Sequence, residues 1–349
     1  NWNGVFFSNL IKYSKPKIKS KIKKVNIEEK LKRENFNFAK KIISYLLSLF
    51  YKKKDPVIVS TYLPFFENLK LFLYLKQIPK IWISPKLNRT KINFLKREKL
   101  VFKNLKKKNF ENFVKEQIYK SIPLCHVELF GKMIKDLEDK RLPKIPKFIY
   151  TSNSYEYDEY FKLYVALKKR GKTKYIIGQH GNVSWLENMY FENQHRADHY
   201  LYWGKNGFGK KENGFNFKIQ RKKFNYNSSG YLLIFDSPFG TNNKIFNRID
   251  ENYEKEKVLK HLLSKLNKEI KNNIIFKLHS SYKKRKKNYI QNIKKICPQI
   301  KIEIDDNKSF ELVKNSRCVI HMYDSTGILE TMSYNIPTVC IWQNKFNHI

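Results

Sequence analysis

Apolar and polar positions alternate most regularly from Tyr231 onward. The run "YLLIFD" (231–236) reads as a strand, and "NYEKEKVLKHLLSKLNKEI" (252–270) repeats its apolar residues at helical spacing. Strand "NIIFKLH" (273–279), helix "RKKNYIQNIKKIC" (285–297), strand "KIEI" (301–304), helix "SFELVKNS" (309–316), strand "CVIHMY" (318–323), helix "TGILETMSYN" (326–335) and strand "TVCIW" (338–342) continue the series. Short apolar runs alternating with helices predict a parallel sheet covered on both faces. This is a Rossmann-like half. Before it, "PVIVSTY" (56–62), "KIWIS" (80–84), "KFIYTS" (147–152), "KYIIGQH" (174–180) and "HYLYWG" (199–204) read as strands. Helical stretches lie between them, including "FFENLKLFLYLKQ" (65–77) and "DEYFKLYVALKKRG" (158–171), the latter stopping at Gly171.

Residues 205–229 carry Gly, Asn and charge without apolar periodicity and read as a linker. The expected organisation is an α/β protein of two Rossmann-like domains facing a cleft. Residues 1–204 would form the first domain, with a basic helical region at about 86–140, and 230–349 the second, truncated at its end. Neither half carries G-x-G-x-x-G or a G-K-[ST] loop, which excludes the commonest dinucleotide and triphosphate sites.

Composition changes this picture in two places. The formal net charge is +40, from 71 Lys plus Arg against 31 Asp plus Glu, a balance that suits nucleic acid, anionic lipid or a polyanionic substrate. An AT-rich genome would produce the same crowding of Lys, Asn, Ile, Phe and Tyr, so both explanations stay open. The run "IISYLLSLFY" (Ile42–Tyr51) is too short to span a bilayer. Flanked by Lys40, Lys41 and Lys52–Lys54, it is either a buried helix or one lying on an anionic membrane surface. Cys125, Cys297, Cys318 and Cys340 show no C-x-x-C spacing, so buried free thiols are expected and a zinc site is not. The chain begins at Asn1 and reads as a fragment, which leaves the lack of a targeting segment without weight.

Two strand ends in the second half suit a phosphate. "FKLHSS" places Lys277, His279 and Ser280 at the end of a strand, where open α/β sheets bind ligands. "YDSTGILE" puts Ser325, Thr326 and Gly327 at a helix start, an anion site by its free N–H groups and dipole, with Glu330 one turn in. Ser or Thr here is equally an ordinary helix cap, and Glu330 an ordinary surface carboxylate. In the first half, "IGQHG" delivers Gln179, His180 and Gly181 from a strand end. The alternative is a tight turn in which Gly181 supplies an unusual backbone angle.

The "KLH" strand end and "YDSTGILETMSYNIPTV" resemble the nucleotide-binding half of GT-B glycosyltransferases, with Ser280 where the family usually has Pro. The stretch "TSNSYEYDEYFKLYVALKKRGKTKYIIGQHG" resembles transferases of bacterial surface-polysaccharide and O-antigen clusters. His180 and Gly181 match that family's Gln-His-Gly-Gly turn, while Asn182 departs from it. The resemblance implies a metal-independent glycosyltransferase that moves a sugar, such as a CMP-linked acidic sugar, from a nucleotide donor to a glycan or lipid-linked acceptor of the cell surface or capsule. Lys277, His279, Ser280, Ser325, Thr326, Gly327 and Glu330 would bind the donor, and Gln179, Gly181, Ser152 and Asn153 would line the acceptor side. His180 would be the general base or a substrate contact, with Glu156, Asp158 and Glu159 as competing carboxylates. No cofactor, metal or specific nucleic acid is expected. The implied location is cytoplasmic or peripheral on the inner membrane face. Rival readings are a CDP-alcohol phosphotransferase of the teichoic-acid type, a sugar-nucleotide epimerase and a polyanion-binding protein.

Overall fold

The computed structural model describes residues 6, 10, 13, 34–85, 90–98, 110–181, 196–203, 211–214, 216, 223–236, 248–279, 287–323 and 325–341. Strands β1 (Val57–Val59), β2 (Phe148–Thr151), β3 (Lys174–Gly178), β4 (His199–Tyr202) and β5 (Lys211–Asn213) form one sheet in chain order. The pairs β1–β2, β2–β3 and β4–β5 are parallel. A second sheet contains β6 (Tyr231–Phe235), β7 (Ile274–Lys277), β8 (Lys301–Glu303), β9 (Ser316–His321) and β10 (Thr338–Cys340). Its order is β10-β9-β6-β7-β8, parallel throughout. The protein is therefore α/β with two parallel sheets. Contacts group residues 1–61 with 68–177, and 62–67 with 178–349. The sequence places its division at 204/205 instead, and the stretch it reads as a linker contains β5.

The second sheet shows why its strands are continuous apolar runs. Successive side chains of a strand point to opposite faces. Leu232 and Ile234 enter one buried cluster with Phe276, Leu263 and Ile293, while Leu233 enters another with Val313, Val319 and Tyr334. Both faces of β6 are covered, so its central positions are apolar on either side. At β6, Gly230 is required by close approach: a Cβ there would lie 2.6 Å from the Asn315 carbonyl oxygen and 2.7 Å from the Arg317 nitrogen.

Two expectations for the first half are corrected. "KIWIS" is not a strand, because side chains satisfy its backbone. The Ile81 N–H donates to the Tyr51 hydroxyl (3.4 Å), the Ile81 carbonyl accepts from Ser44 (3.0 Å), and the Ile83 carbonyl accepts from Lys140. The "IISYLLSLFY" helix is not buried either. Helix Glu34–Ser48 leaves Phe38 68%, Tyr45 57% and Leu46 52% exposed. No helix among the described residues is long and apolar enough to cross a membrane.

In the basic region, helix Phe94–Glu98 presents Arg97, which is fully buried. Its Nε and Nη2 donate to the two Glu128 carboxylate oxygens at 2.6 and 2.7 Å, and Nη1 donates to the Lys120 carbonyl at 3.1 Å. These bonds, led by the guanidinium, lower the Glu128 pKa to about 2. Stability from this pair is complete above the ordinary carboxylate range, about 4.5, and is lost as pH falls from there toward 2. Glu128→Gln leaves a buried guanidinium without its counter-charge, at a cost of about 3–5 kcal/mol. Urea unfolding at neutral pH should show that loss, and the variant should lack the parent's acid-dependent decline attributable to Glu128.

Candidate functional site

The strand order of the second sheet reverses at β6. Chain order runs from β6 outward through β7 to β8, then returns to β9 on the other side of β6. In open α/β sheets the crevice beyond the carboxyl ends at such a switch point is where ligands bind. Asp236 follows β6 there, His321 ends β9, and Tyr323, Ser325, Thr326 and Gly327 come next. The Asp236 N–H donates to the Lys277 carbonyl (3.1 Å) and the Met322 N–H to the Phe235 carbonyl (3.0 Å), so the three strand ends are level.

His321 organises this crevice, and the sequence reading passed over it as one residue of a strand. Its ring is 2% exposed and stacks on Phe235 with centroids 5.1 Å apart and planes within 5°. Burial lowers its pKa to about 4, so the imidazole is neutral at pH 7. The hydrogen bonds orient it. Thr331 Oγ1 donates to the Ile328 carbonyl (3.0 Å), which leaves that oxygen to accept from His321 Nε2 at 3.3 Å. Nδ1 then accepts from the Ser325 hydroxyl at 3.4 Å. Ser325 has the extended backbone of a helix cap but makes no side-chain capping bond, since its hydroxyl is turned to His321. Gly327 is fixed by the same ring. A Cβ there would lie 3.0 Å from His321 Cε1 and 3.2 Å from Ser325 Oγ. The His321 ring is thus what a side chain at Gly327 would meet first.

Carboxylates surround the crevice. Burial raises the Tyr323 phenol, the Ser325 hydroxyl opposes the shift, and Asp236, Asp306 and Glu330 add to it. Tyr289 donates to Asp236 Oδ2 at 2.9 Å. Lys277 is 3% exposed, and its Nζ donates to the Leu278 carbonyl (2.8 Å) and to Asp306 Oδ1 (2.9 Å). Its charge is thus balanced within the protein. His279 is exposed just beyond β7, Glu330 is half-buried on helix Thr326–Ser333, and Ser280 lies outside the described residues. Carboxylates accept well from hydroxyls, while the helix N–H groups at Thr326 and Gly327 suit an anion. The crevice can therefore hold a molecule with both.

The Gln-His-Gly segment reaches the same place. Gln179 is 3% exposed and acts as a clamp: its Oε1 accepts from the Trp203 N–H (2.8 Å), and its Nε2 donates to the Gly181 carbonyl (2.9 Å). The Gln179 N–H also donates to the Leu201 carbonyl at 2.9 Å. His180 follows, half-buried, its ring stacked on Tyr62 at 6.0 Å. Gly181 is not in the left-handed backbone region, so the unusual-angle reading of this turn is corrected. A Cβ on Gly181 would lie 3.6 Å from Thr326 Oγ1, which sets the Gln-His-Gly turn against the Ser-Thr-Gly helix start.

The remaining candidates lie around the end of β2 and the helices that follow it. Ser152 is buried, with Oγ 3.0 Å from the Tyr150 hydroxyl, and its N–H donates to the Ser60 carbonyl at 3.2 Å. Asn153 is buried at the start of helix Ser154–Tyr157, and Glu156 is exposed on that helix. Asp158 caps helix Glu159–Lys169 by accepting from the Phe161 N–H at 3.0 Å. Its other oxygen accepts from Trp82 Nε1 (2.7 Å) and from the Ser84 hydroxyl. Both Asp158 oxygens thus accept hydrogen bonds from within the protein. Cys125 and Cys297 are buried and all four cysteines are free. Cys125, His126 and Glu159 bring sulfur, nitrogen and oxygen donors within 4.8 Å of one another, a set that cysteine spacing alone does not disclose. Glu159 is also engaged by Lys162 at 2.6 Å.

The His321 contacts define a test. Gly327→Ala must push either the stacked ring or Ser325, and overpacking of this kind costs about 1–3 kcal/mol. Thermal unfolding should register that loss. Imidazole NMR of the parent should place the His321 titration near pH 4, and the variant should move it.

No curated protein matches the chain. A family profile matches it from residue 1 to residue 349, and the chain accordingly belongs to the LIC12162 family of transferases.

Proposed function

We propose that this transferase is a glycosyltransferase of the GT-B type. It takes a sugar from a nucleotide donor, with a CMP-linked acidic sugar as the favoured candidate, and passes it to a surface glycan or a lipid-linked acceptor. The observation that carries this reading is the approach of Gly181 to Thr326. It brings the imidazole-bearing turn to the helix start that suits the donor phosphate. Thr326, the N–H groups of that helix and, once its proton turns from His321, the Ser325 hydroxyl would hold the phosphate. The carboxylates around Tyr323, with Glu330 among them, would accept from ribose or sugar hydroxyls. Transfer then needs a hydroxyl positioned near the donor carbon, stabilisation of the departing phosphate, and a base for the acceptor proton.

His180 is the group we assign to that proton. Gln179 fixes the turn on which it rides, and an imidazole serves as base at neutral pH. His321 cannot take the role at that pH efficiently, since a group titrating near 4 holds the proton weakly. Its part is to aim Ser325.

Donor binding and turnover separate these assignments. A thermal-shift series over CMP, CDP, UDP, GDP and ADP should single out the donor base, because a ligand at a hundred times its Kd adds about 2.7 kcal/mol. Ser325→Ala with Thr326→Ala should weaken that nucleotide about tenfold or more without unfolding the chain, since a cap contributes only about 1 kcal/mol. His180→Ala should keep the nucleotide shift and lower turnover about 10²- to 10⁴-fold. Unaltered nucleotide binding in the double variant would remove the donor site from Thr326.

A further inference from the structure

Helix Glu34–Ser48 is inside out. A helix on the surface of a globular protein turns its apolar stripe inward. Here the inward edge is Ser44, Leu47, Ser48 and, just beyond the helix end, Tyr51, all half-buried. Ser44 Oγ donates to the Ile81 carbonyl at 3.0 Å, and the Tyr51 hydroxyl donates to the Pro79 carbonyl at 3.3 Å. At 100° per residue, Phe38, Ile42, Tyr45, Leu46, Leu49 and Phe50 fall on the opposite arc, and every one of them is exposed. A single exposed leucine needs no explanation, but a continuous apolar arc does.

A groove of about 640 Å³ runs beside this helix, between it and the segments 81–85 and 139–142. Its walls are aromatic and cationic. The Arg141 guanidinium lies 5.4 Å from the Tyr45 ring centroid and the Lys140 ammonium 5.9 Å from that of Trp82. Lys41 also lines it, and Asp139 is the carboxylate among the lining residues. Lys40, Lys41, Lys52, Lys53 and Lys54 flank the apolar arc and are exposed.

We infer that this face seats the protein on an anionic phospholipid bilayer, with the helix lying in the interface and the groove receiving a phosphate headgroup. Charge decides the occupant. An apolar arc rimmed by lysines matches the boundary between acyl chains and anionic headgroups, and an interfacial helix has this composition. A second copy of the chain would bring like charge to like charge on a protein of net +40. Burial lowers the Lys140 pKa from its ordinary value, and a headgroup phosphate beside it would oppose that shift. This placement rests on the proposed membrane-borne acceptor only for its biological purpose; the apolar arc and its lysines are independent of it.

The test uses the full chain and no nucleotide, so it is independent of the donor-site experiments. Sedimentation is measured with phosphatidylcholine vesicles, and with vesicles carrying roughly one-third phosphatidylglycerol, at near-physiological salt. Binding to the anionic vesicles should exceed binding to the neutral ones by about tenfold or more. Phe38→Ser with Ile42→Ser and Leu46→Ser should weaken it by a similar factor with circular dichroism unchanged, because these side chains touch solvent. Lys41→Gln with Arg141→Gln should weaken it too. Should the triple variant fail to fold, Phe50→Ser carries the same arm outside the helix. Three results overturn the inference: no preference for anionic vesicles, binding that salt abolishes and the apolar substitutions leave unchanged, or substitutions that dissolve a dimer in analytical ultracentrifugation while vesicle binding persists.

Discussion

The second sheet has no wet face, and the location of its chemistry follows from that. With Leu232 and Ile234 in one buried cluster and Leu233 in the other, neither side of β6 offers room for a polar group. Polar side chains are displaced to where the strands stop. A parallel sheet stops all its strands in the same direction, so Asp236, Lys277 and the residues after His321 collect at one edge. His321 joins Lys277 and Ser316 as a buried polar strand residue of this sheet, and it stands at the last position of β9. Its burial is tolerated because the ring stays neutral and both nitrogens find hydroxyls.

That arrangement makes the crevice stiff. The ring is pinned by Phe235 on its face and by Thr331 and Ser325 at its edges, and Gly327 leaves it only the space it occupies. Ser325 is thereby held in cap geometry without spending its hydroxyl on the helix. The N–H groups of the helix start keep their capacity for an anion, which an ordinary Ser cap would partly consume. Gln179 performs the corresponding service for the other loop, closing the turn with its side-chain amide at both ends. Preorganised donors of this kind stabilise charge without reorganising at the moment of reaction.

The sheet architecture was legible in the sequence because buried parallel strands have a signature that survives any composition: short apolar runs between helices. Where tertiary bonds replace the ladder, the signature misleads. "KIWIS" alternates like a strand, yet Tyr51, Ser44 and Lys140 take up its backbone groups, and those partners lie 30, 37 and 57 residues away in sequence. Asp158 is legible only in part. A carboxylate opening a helix suggests a cap, which the Phe161 N–H bears out, but its bonds from Trp82 and Ser84 come from 76 and 74 residues away in sequence. The helix start at Thr326 and the His180 turn were visible as strand-end motifs. His321 was not, since a histidine at the end of an apolar run looks like any strand residue until its neighbours are known. The signal that finds it is positional: two residues before Tyr323 and four before a serine cap, on the strand beside the topological switch.

The charge of the chain and its exposed apolar helix act on each other. Lysines scattered over a surface keep a protein soluble through self-repulsion, whatever their origin in the genome. That repulsion would oppose pairing of Phe38, Ile42 and Leu46 with the same face of another copy. The lysines cannot protect that arc against an anionic surface, where repulsion becomes attraction and the apolar residues find hydrocarbon. On the membrane seating proposed above, a basic composition that mutation alone would supply becomes selective once an apolar arc is added. The inward anchoring of the helix by Ser44 and Tyr51 completes the logic, because polar contacts to the body leave the apolar side free to face outward.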